Sequence, residues 1–211
     1  MNRAWALVSA AIYMAALVGS IVLDGNAPDS GVTPGAKVIA FYTSHRGAMT
    51  ASSVVVVVAA VFAVVSVGAL REYLCRDPRA RMMATTALAG AAVYAGSLCL
   101  SAGAALALAD APSQLDPAAA QALSLLRADV NTPFASAGTA LLLGCMGWAI
   151  VQTKRLPAGL AWAALVLAVV ALIPPIAPPT VLVAGVWLII AGVVIYRRNA
   201  PEPIDPTGAH R

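Results

Sequence analysis

Seven polar side chains at the ends of long apolar segments are the residues of this chain best suited to chemistry. They are Asp24, Tyr42, His45, Arg46, Asp110, Asp129 and Asn131. Carboxyl, imidazole and phenol groups are the side chains that enzymes use as general acids and bases. If the apolar segments close into a single bundle, these side chains would meet at one end of it. The pattern therefore favours a polar pocket at that end.

Two of the carboxylates, Asp110 and Asp129, are candidate proton donors. A carboxyl group in an apolar pocket can stay protonated near neutral pH, as an acid catalyst requires. Pro133 draws attention to Asp129, because proline cannot donate a hydrogen bond to the carbonyl group four residues earlier. A helix passing this point would carry a free acceptor beside a carboxylate, and such polar turns at membrane depth line cavities or mark helix starts.

Tyr42 and His45 are candidates for positioning a substrate or relaying a proton. Phe41, His45 and Met49 are spaced four residues apart, so on one helix they would face the same way and place His45 in an apolar strip. The candidate substrate-binding residues are Asp24, Phe41, Arg46, Asn131 and Phe134.

Each of these residues also has a purely structural interpretation. Asp24 and Asp110 can mark the return of a span to water, while Asp129 and Asn131 can cap the helix that follows. His45 beside Arg46 would be an ordinary pair at a membrane interface. The chain has no motif for a phosphate-binding loop, a catalytic zinc ion or a nucleophilic serine. We therefore expect neither a metal nor a cofactor.

Six apolar segments must position the polar residues. They cover residues 3–23, 51–70, 82–109, 134–151, 158–173 and 181–196. Most have close to the ~20 residues that cross the hydrocarbon of a bilayer as a helix, and none has a charged residue at its centre. The chain is 61% hydrophobic and only 10% charged, with a mean hydropathy of +0.85. A soluble surface needs roughly 25% charged residues, so this composition excludes a soluble globular protein.

The apolar segments are continuous runs of alanine, valine and leucine without alternation of polar and apolar residues. Backbone groups in hydrocarbon must pair within their own segment, so these runs predict helices and not a barrel. The expected fold is an all-α bundle of about six transmembrane helices. Residues 1–199 would form its single domain, and residues 200–211 a disordered cytoplasmic tail.

Basic residues are concentrated in alternate connections of the predicted bundle. They are Arg3, Arg71, Arg76, Arg79, Arg81, Lys154, Arg155, Arg197 and Arg198. The positive-inside rule therefore predicts a plasma-membrane protein with both termini in the cytoplasm. Topology accounts for the net charge of +4, so a nucleic-acid partner is not expected. The expected partners are the bilayer and a lipophilic small molecule, and a homo-oligomer stays open.

The two long connections on the predicted outer side, residues 24–49 and 110–132, each contain a signal for the start of a helix. In Thr33-Pro34 and Asp116-Pro117 a capping residue precedes a proline. The residues that follow are apolar on one side and polar on the other. We therefore predict that residues 34–45 and 117–128 form short interfacial helices over the outer mouth of the bundle.

Four short motifs, FYTSHRG, VGALREYLCR, LPAGLAWAALVLAV and AGVWLIIAGVVIYRR, carry a resemblance that extends over most of the chain. The chain resembles a broad, largely uncharacterised group of small multi-pass membrane proteins from GC-rich actinobacteria. This resemblance implies the architecture and supplies no catalytic residues. In size, helix content and outward carboxylates the chain is also similar to small integral-membrane terpene cyclases, a likeness at the level of fold alone.

Two classes of function are compatible with these features. The first is a membrane-embedded, cofactor-free enzyme that uses acid–base chemistry on an isoprenoid-like substrate, as a terpene-type cyclase does. The second is a non-enzymatic membrane protein that binds or exports a lipophile or serves as a scaffold for a partner. In the second case the same polar residues act only as helix caps. The first class is favoured, because long outer connections that carry Tyr42, His45, Asp110 and Asp129 are more than packing requires.

Overall fold

The computed structural model describes residues 4–25, 27–28, 33–110, 112–173 and 177–198, with the backbone alone at 113, 129–131 and 177–178. The α-helices in this part of the chain are α1 Trp5–Asp24, α2 Gly35–Ser44, α3 Arg46–Leu74, α4 Arg81–Asp110, α5 Pro117–Leu125, α6 Asn131–Thr153, α7 Ala158–Ala171 and α8 Ala177–Arg198. The described residues contain no β-strand. The prediction of an all-α fold is confirmed. The predicted tail, residues 200–211, lies outside the described residues.

In the part of the chain that the structure describes, five helical stretches are long and apolar enough to cross a membrane, and they contain α1, α3, α4, α6 and α8. The protein is therefore a polytopic membrane bundle. The remaining apolar helix, α7, has 14 residues. At 1.5 Å per residue it extends about 21 Å, which is shorter than the ~30 Å hydrocarbon core. A count of six spans thus stays a prediction for α7.

The long helices and α7 form a closed ring. Going round it, α1 contacts α3, α3 contacts α4, α4 contacts α6, α6 contacts α7, α7 contacts α8, and α8 returns to α1. Small residues allow a close approach between α4 and α6. A Cβ atom added to Gly90 would lie 2.6 Å from the backbone nitrogen of Leu142, and one added to Gly138 would lie 2.6 Å from that of Tyr94. Such approach maximises dispersion contacts between helices in lipid.

The two short helices, α2 and α5, contact each other and form what we call the cap. The end of the ring that carries it is the cap end. Val38 and Tyr42 of α2 and Ala120 of α5 share a small core with Met49 and Leu108 of the long helices. The helices α2 and α5 approach so closely that a Cβ atom on Gly35 would lie 1.8 Å from the carbonyl oxygen of Pro117. The prediction that these two segments are helical is confirmed.

The two predicted helix starts differ. The carboxylate of Asp116 accepts a hydrogen bond from the Ala118 amide, so the capping prediction for α5 is confirmed. The prediction for α2 is wrong by one residue. Its N-cap is Pro34, which has extended backbone angles and makes no side-chain capping bond. Proline there ends the incoming connection and does not begin the first helical turn.

The cap passes into the ring at α6 through a π-helical turn, Leu126–Val130. Pro133 lies just after this turn and lacks the amide hydrogen that a regular α-helix would direct to the Asp129 carbonyl. The predicted irregularity near Asp129 therefore takes the form of a widened turn within a continuous helical stretch. Turns of this kind often occur at functional sites.

Candidate functional site

The cap covers an ion pair between Asp24, the last residue of α1, and Arg127 of the π-helical turn. Arg127 Nη2 donates to Asp24 Oδ2 at 2.6 Å, and Arg127 Nη1 donates to the Tyr42 hydroxyl oxygen at 2.9 Å. The Arg127 side chain is only 12% exposed and that of Asp24 29%. Charge-assisted hydrogen bonds of this length are about twice as strong as neutral ones. The guanidinium group therefore joins the cap to α1.

Serine hydroxyl groups complete the surroundings of this pair. Ser52 Oγ donates to Asp24 Oδ1 at 2.6 Å and is also within 3.3 Å of the Ser20 carbonyl oxygen. Ser101 Oγ lies 3.5 Å from the carbonyl oxygen of Arg127. We call Asp24, Tyr42, Ser52 and Arg127 the sheltered cluster. Both carboxylate oxygens of Asp24 accept hydrogen bonds and two nitrogens of Arg127 donate them, so the charged groups are well satisfied.

A second arginine–aspartate pair lies at the same end but on the surface. Arg46 begins α3 and Asp110 ends α4, and Arg46 Nη2 is 3.5 Å from Asp110 Oδ1. The two side chains are 60% and 88% exposed. We call them the exposed pair. Their long distance and high exposure place them in the class of surface ion pairs whose mutual attraction is worth roughly 0–1 kcal/mol.

The exposed pair lies at one end of an open groove between α3 and α4, which has a volume of about 830 Å³. Its lining residues are Arg46, Gly47, Thr50, Ala51, Val54, Leu106, Ala107 and Asp110. Most of the lining surface is apolar, and the charges are confined to the two helix ends. A volume in this range is large enough for a small lipophilic molecule or part of a lipid chain.

His45 belongs to neither ionic group. Its ring stacks on that of Phe41 with 4.4 Å between centroids, and its Nδ1 is 2.8 Å from Ser44 Oγ. The backbone at His45 has φ −115° and ψ 20°, which separates α2 from α3. The prediction of one apolar strip through Phe41, His45 and Met49 is therefore wrong. Met49 is buried, whereas His45 is exposed.

The structure sorts the predicted site residues into separate groups. Asp24 joins Tyr42 in the sheltered cluster, and Arg46 joins Asp110 at the groove. Phe134 is 54% exposed on α6. The side chains of Asp129 and Asn131 lie outside the described residues, so the proposed role of Asp129 as a proton donor stays a prediction.

Sequence reasoning missed Arg127, although this residue connects most of the sheltered cluster. One signal for it was available. Arg127 lies in a connection that the sequence predicts to be on the outer side, where the positive-inside rule makes basic residues uncommon, so it needed an explanation. An arginine within an apolar helical stretch also needs an acidic partner or escape to water.

No protein-family model matches the chain, and no curated protein or solved structure shows significant similarity to it. The resemblances to an actinobacterial group and to terpene cyclases therefore stay predictions. The groove and the two ionic groups are the features of the structure that bear on function.

Proposed function

We propose that this protein binds an amphiphilic lipophile in the groove between α3 and α4. The apolar tail of the ligand would lie along Val54 and Leu106, and its polar head group would lie at the exposed pair. The observation that carries this proposal is the position of Arg46 and Asp110, at the start of α3 and the end of α4, in the lining of a mostly apolar groove. An amphiphile likewise has a polar group at one end, followed by an apolar tail.

Charge complementarity favours a zwitterionic head group. Arg46 lies at the first turn of α3, whose N-cap makes no side-chain hydrogen bond, so the free amide groups add positive potential there. Asp110 lies at the last turn of α4, where free carbonyl groups add negative potential. The anionic part of a head group would contact Arg46, and the cationic part would contact Asp110. Phosphatidylethanolamine has both parts.

The weakness of the exposed pair supports this assignment. Because the two side chains are largely hydrated and 3.5 Å apart, a ligand that separates them loses little of their mutual attraction. The sheltered cluster is less suitable as a ligand site, because its hydrogen bonds are short and its charged groups already have partners. Its role in the proposal is to hold the cap against the ring.

Asp110 on the groove wall favours a second candidate function, the cofactor-free acid–base enzyme. In that case the lipophile would be isoprenoid-like, and Asp110 would transfer a proton to or from it. Tyr42 is engaged with Arg127, and His45 is stacked on Phe41 outside the groove lining. This version therefore assigns the proton transfer to Asp110 alone.

The groove can be tested by filling it. Ala107→Trp places a large side chain on the groove wall, whereas Ala163→Trp places one on an exposed part of α7 away from it. We expect Ala107→Trp to weaken binding of phosphatidylethanolamine at least tenfold, about 1.4 kcal/mol, by native mass spectrometry in detergent. Ala163→Trp should bind as the wild type does. Equal binding by the wild type and both variants would contradict the proposal.

The variant Asp110→Asn distinguishes the two candidate functions. If the protein only binds the lipophile, this variant should lower the preference for a zwitterionic head group over phosphatidylglycerol with the same acyl chains. If it is an acid–base enzyme, the variant should abolish product formation from an isoprenoid in proteoliposomes while the unfolding temperature stays unchanged. Full turnover in the variant would exclude Asp110 as the proton donor.

We also propose that the groove faces the outer side of a plasma membrane and that both termini are cytoplasmic. Support comes from Arg71, Arg76, Lys154 and Arg197, which lie at the helix ends opposite the cap. A variant without native cysteines can carry Gln114→Cys beside the cap or Arg79→Cys at the opposite end. A membrane-impermeant maleimide added to whole cells should label only the first. Labelling of Arg79→Cys alone would show that the orientation is the opposite of the proposed one.

A further inference from the structure

A pair of tyrosines lies in the interior of the helix ring and belongs to neither ionic group. Tyr13 of α1 and Tyr94 of α4 are 2% and 4% exposed, and their hydroxyl oxygens are 3.0 Å apart. Their rings meet edge to face with 6.4 Å between centroids. Most of the surrounding residues are apolar, so these hydroxyl groups need hydrogen-bond partners inside the protein.

A small cavity adjoins the tyrosine pair. It holds about 20 Å³ that the centre of a water-sized sphere can occupy. The residues that line it are Tyr13, Ala63, Tyr94, Thr139, Leu142, Val181, Ala184 and Leu188. One water molecule needs roughly 10–15 Å³ and two to four polar partners. The cavity meets the volume requirement, and three of its lining side chains, Tyr13, Tyr94 and Thr139, carry a hydroxyl group.

Thr139 is the third of these polar side chains, and it differs from six other helical threonines. Its side chain is 5% exposed, and it makes no hydrogen bond within the described part of the chain. Other helical threonines donate to the carbonyl oxygen four residues earlier, namely Thr43, Thr50, Thr85, Thr86, Thr132 and Thr153. Thr139 Oγ1 is thus a buried hydroxyl without such a partner.

One hydroxyl hydrogen of the tyrosine pair has no acceptor among the described residues. Two phenol groups carry two hydroxyl hydrogens, and their mutual hydrogen bond uses one of them. Neither tyrosine hydroxyl donates to any other group among the described residues. The second hydroxyl hydrogen therefore needs an acceptor, and the Thr139 hydroxyl group, whose residue lines the same cavity, needs a partner.

We propose that this cavity is a binding site for one water molecule, which links the tyrosine pair to Thr139. The water accepts the unused tyrosine hydrogen and exchanges a second hydrogen bond with Thr139 Oγ1. It thereby connects α1, α4 and α6 through polar contacts in the interior of the ring. Buried groups without protein partners are normally satisfied by ordered water in this way.

A structure of the full-length protein at about 2 Å, in lipid nanodiscs, tests this proposal. We expect one solvent peak within about 3 Å of both Thr139 Oγ1 and a tyrosine hydroxyl oxygen. Thr139→Val keeps the shape of the side chain, removes the hydroxyl group and should eliminate the peak. Thr86→Val is the matched control, since the Thr86 hydroxyl already donates to the Met82 carbonyl oxygen, and it should retain the peak.

Solid-state NMR provides a second readout that does not depend on map quality. Magnetisation transfer from water should reach the methyl group of Thr139 in the wild type, and Thr139→Val should lose that transfer at position 139. Ala91 is fully buried and does not line the cavity, so its methyl group serves as the dry reference. An empty cavity in a map that resolves other ordered water, or a Thr139 methyl group as dry as that of Ala91, would overturn the proposal.

Discussion

The two arginine–aspartate pairs at the cap end have the same chemical composition and very different surroundings. The Arg127–Asp24 pair is 2.6 Å apart, and its side chains are 12% and 29% exposed. The Arg46–Asp110 pair is 3.5 Å apart, and its side chains are 60% and 88% exposed. The first pair has Tyr42 and Ser52 as further partners, whereas the second lines an open groove.

The contrast indicates that one pair contributes to the stability of the protein and the other is available to bind a ligand. A charge taken out of water needs its partner, because removal of one member leaves the other charged and poorly hydrated. A hydrated pair gains little from its partner and can exchange it for a ligand. The sheltered cluster should therefore hold the cap to the ring, and the exposed pair should be the part that recognises a head group.

The largest effect should come from Arg127→Gln or Asp24→Asn. Either change leaves a mostly buried charge without its counterion, so we expect a loss of about 3 kcal/mol in the free energy of unfolding. Unfolding by SDS titration in mixed micelles measures it. The double variant should lose less than the sum of the two single losses, because the two charges interact. Strict additivity would show that the pair contributes no direct interaction.

Gly35→Ala should have the next largest effect, because it disturbs the cap without changing any charge. The new Cβ atom would overlap the Pro117 carbonyl group, so α2 and α5 must separate, at a cost of about 1–3 kcal/mol. Hydrogen exchange of the α5 amides should become faster. Gly47→Ala is the control, since a Cβ atom there meets nothing within 4 Å. Unchanged α5 exchange in Gly35→Ala would mean that the cap is not held at this contact.

Tyr42→Phe should have a smaller effect, since it removes the Tyr42 hydroxyl group and leaves the Arg127–Asp24 pair in place. A hydrogen bond to a charged group contributes about 1.5–3 kcal/mol, and we expect a loss near the lower value because Arg127 retains its carboxylate partner. The same SDS titration measures it. Tyr196→Phe, at an exposed position on α8, should be neutral. A loss as large as that of Arg127→Gln would place the main stabilising contact at Tyr42.

The smallest effect on stability should come from Arg46→Gln and Asp110→Asn. The exposure of both side chains limits the change in unfolding free energy to about 0.5 kcal/mol. The same variants should nevertheless lower the preference for phosphatidylethanolamine over the matched diacylglycerol. A stability loss similar to that of Asp24→Asn would remove the distinction between the two pairs.

Several features of the fold could be predicted from local sequence. The long apolar segments, the Asp116 cap and the two short helices all depend on residues close together in the chain. The sequence also located Asp24, Tyr42, Arg46 and Asp110 at one end. It failed for His45, because the break between α2 and α3 cannot be read from the spacing of Phe41, His45 and Met49.

The sequence by itself determined an all-α membrane architecture, because hydrocarbon forces each long apolar segment to satisfy its own backbone hydrogen bonds. Only the tertiary structure decided which polar residues became neighbours. Arg127 and Asp24 are 103 residues apart, and they meet because the helix ring closes and the π-helical turn enters it beneath the cap. Arg46 carries the same charge but begins a helix at the edge of the ring, so it stays in contact with solvent. Burial by packing, which depends on every helix at once, separates the two pairs.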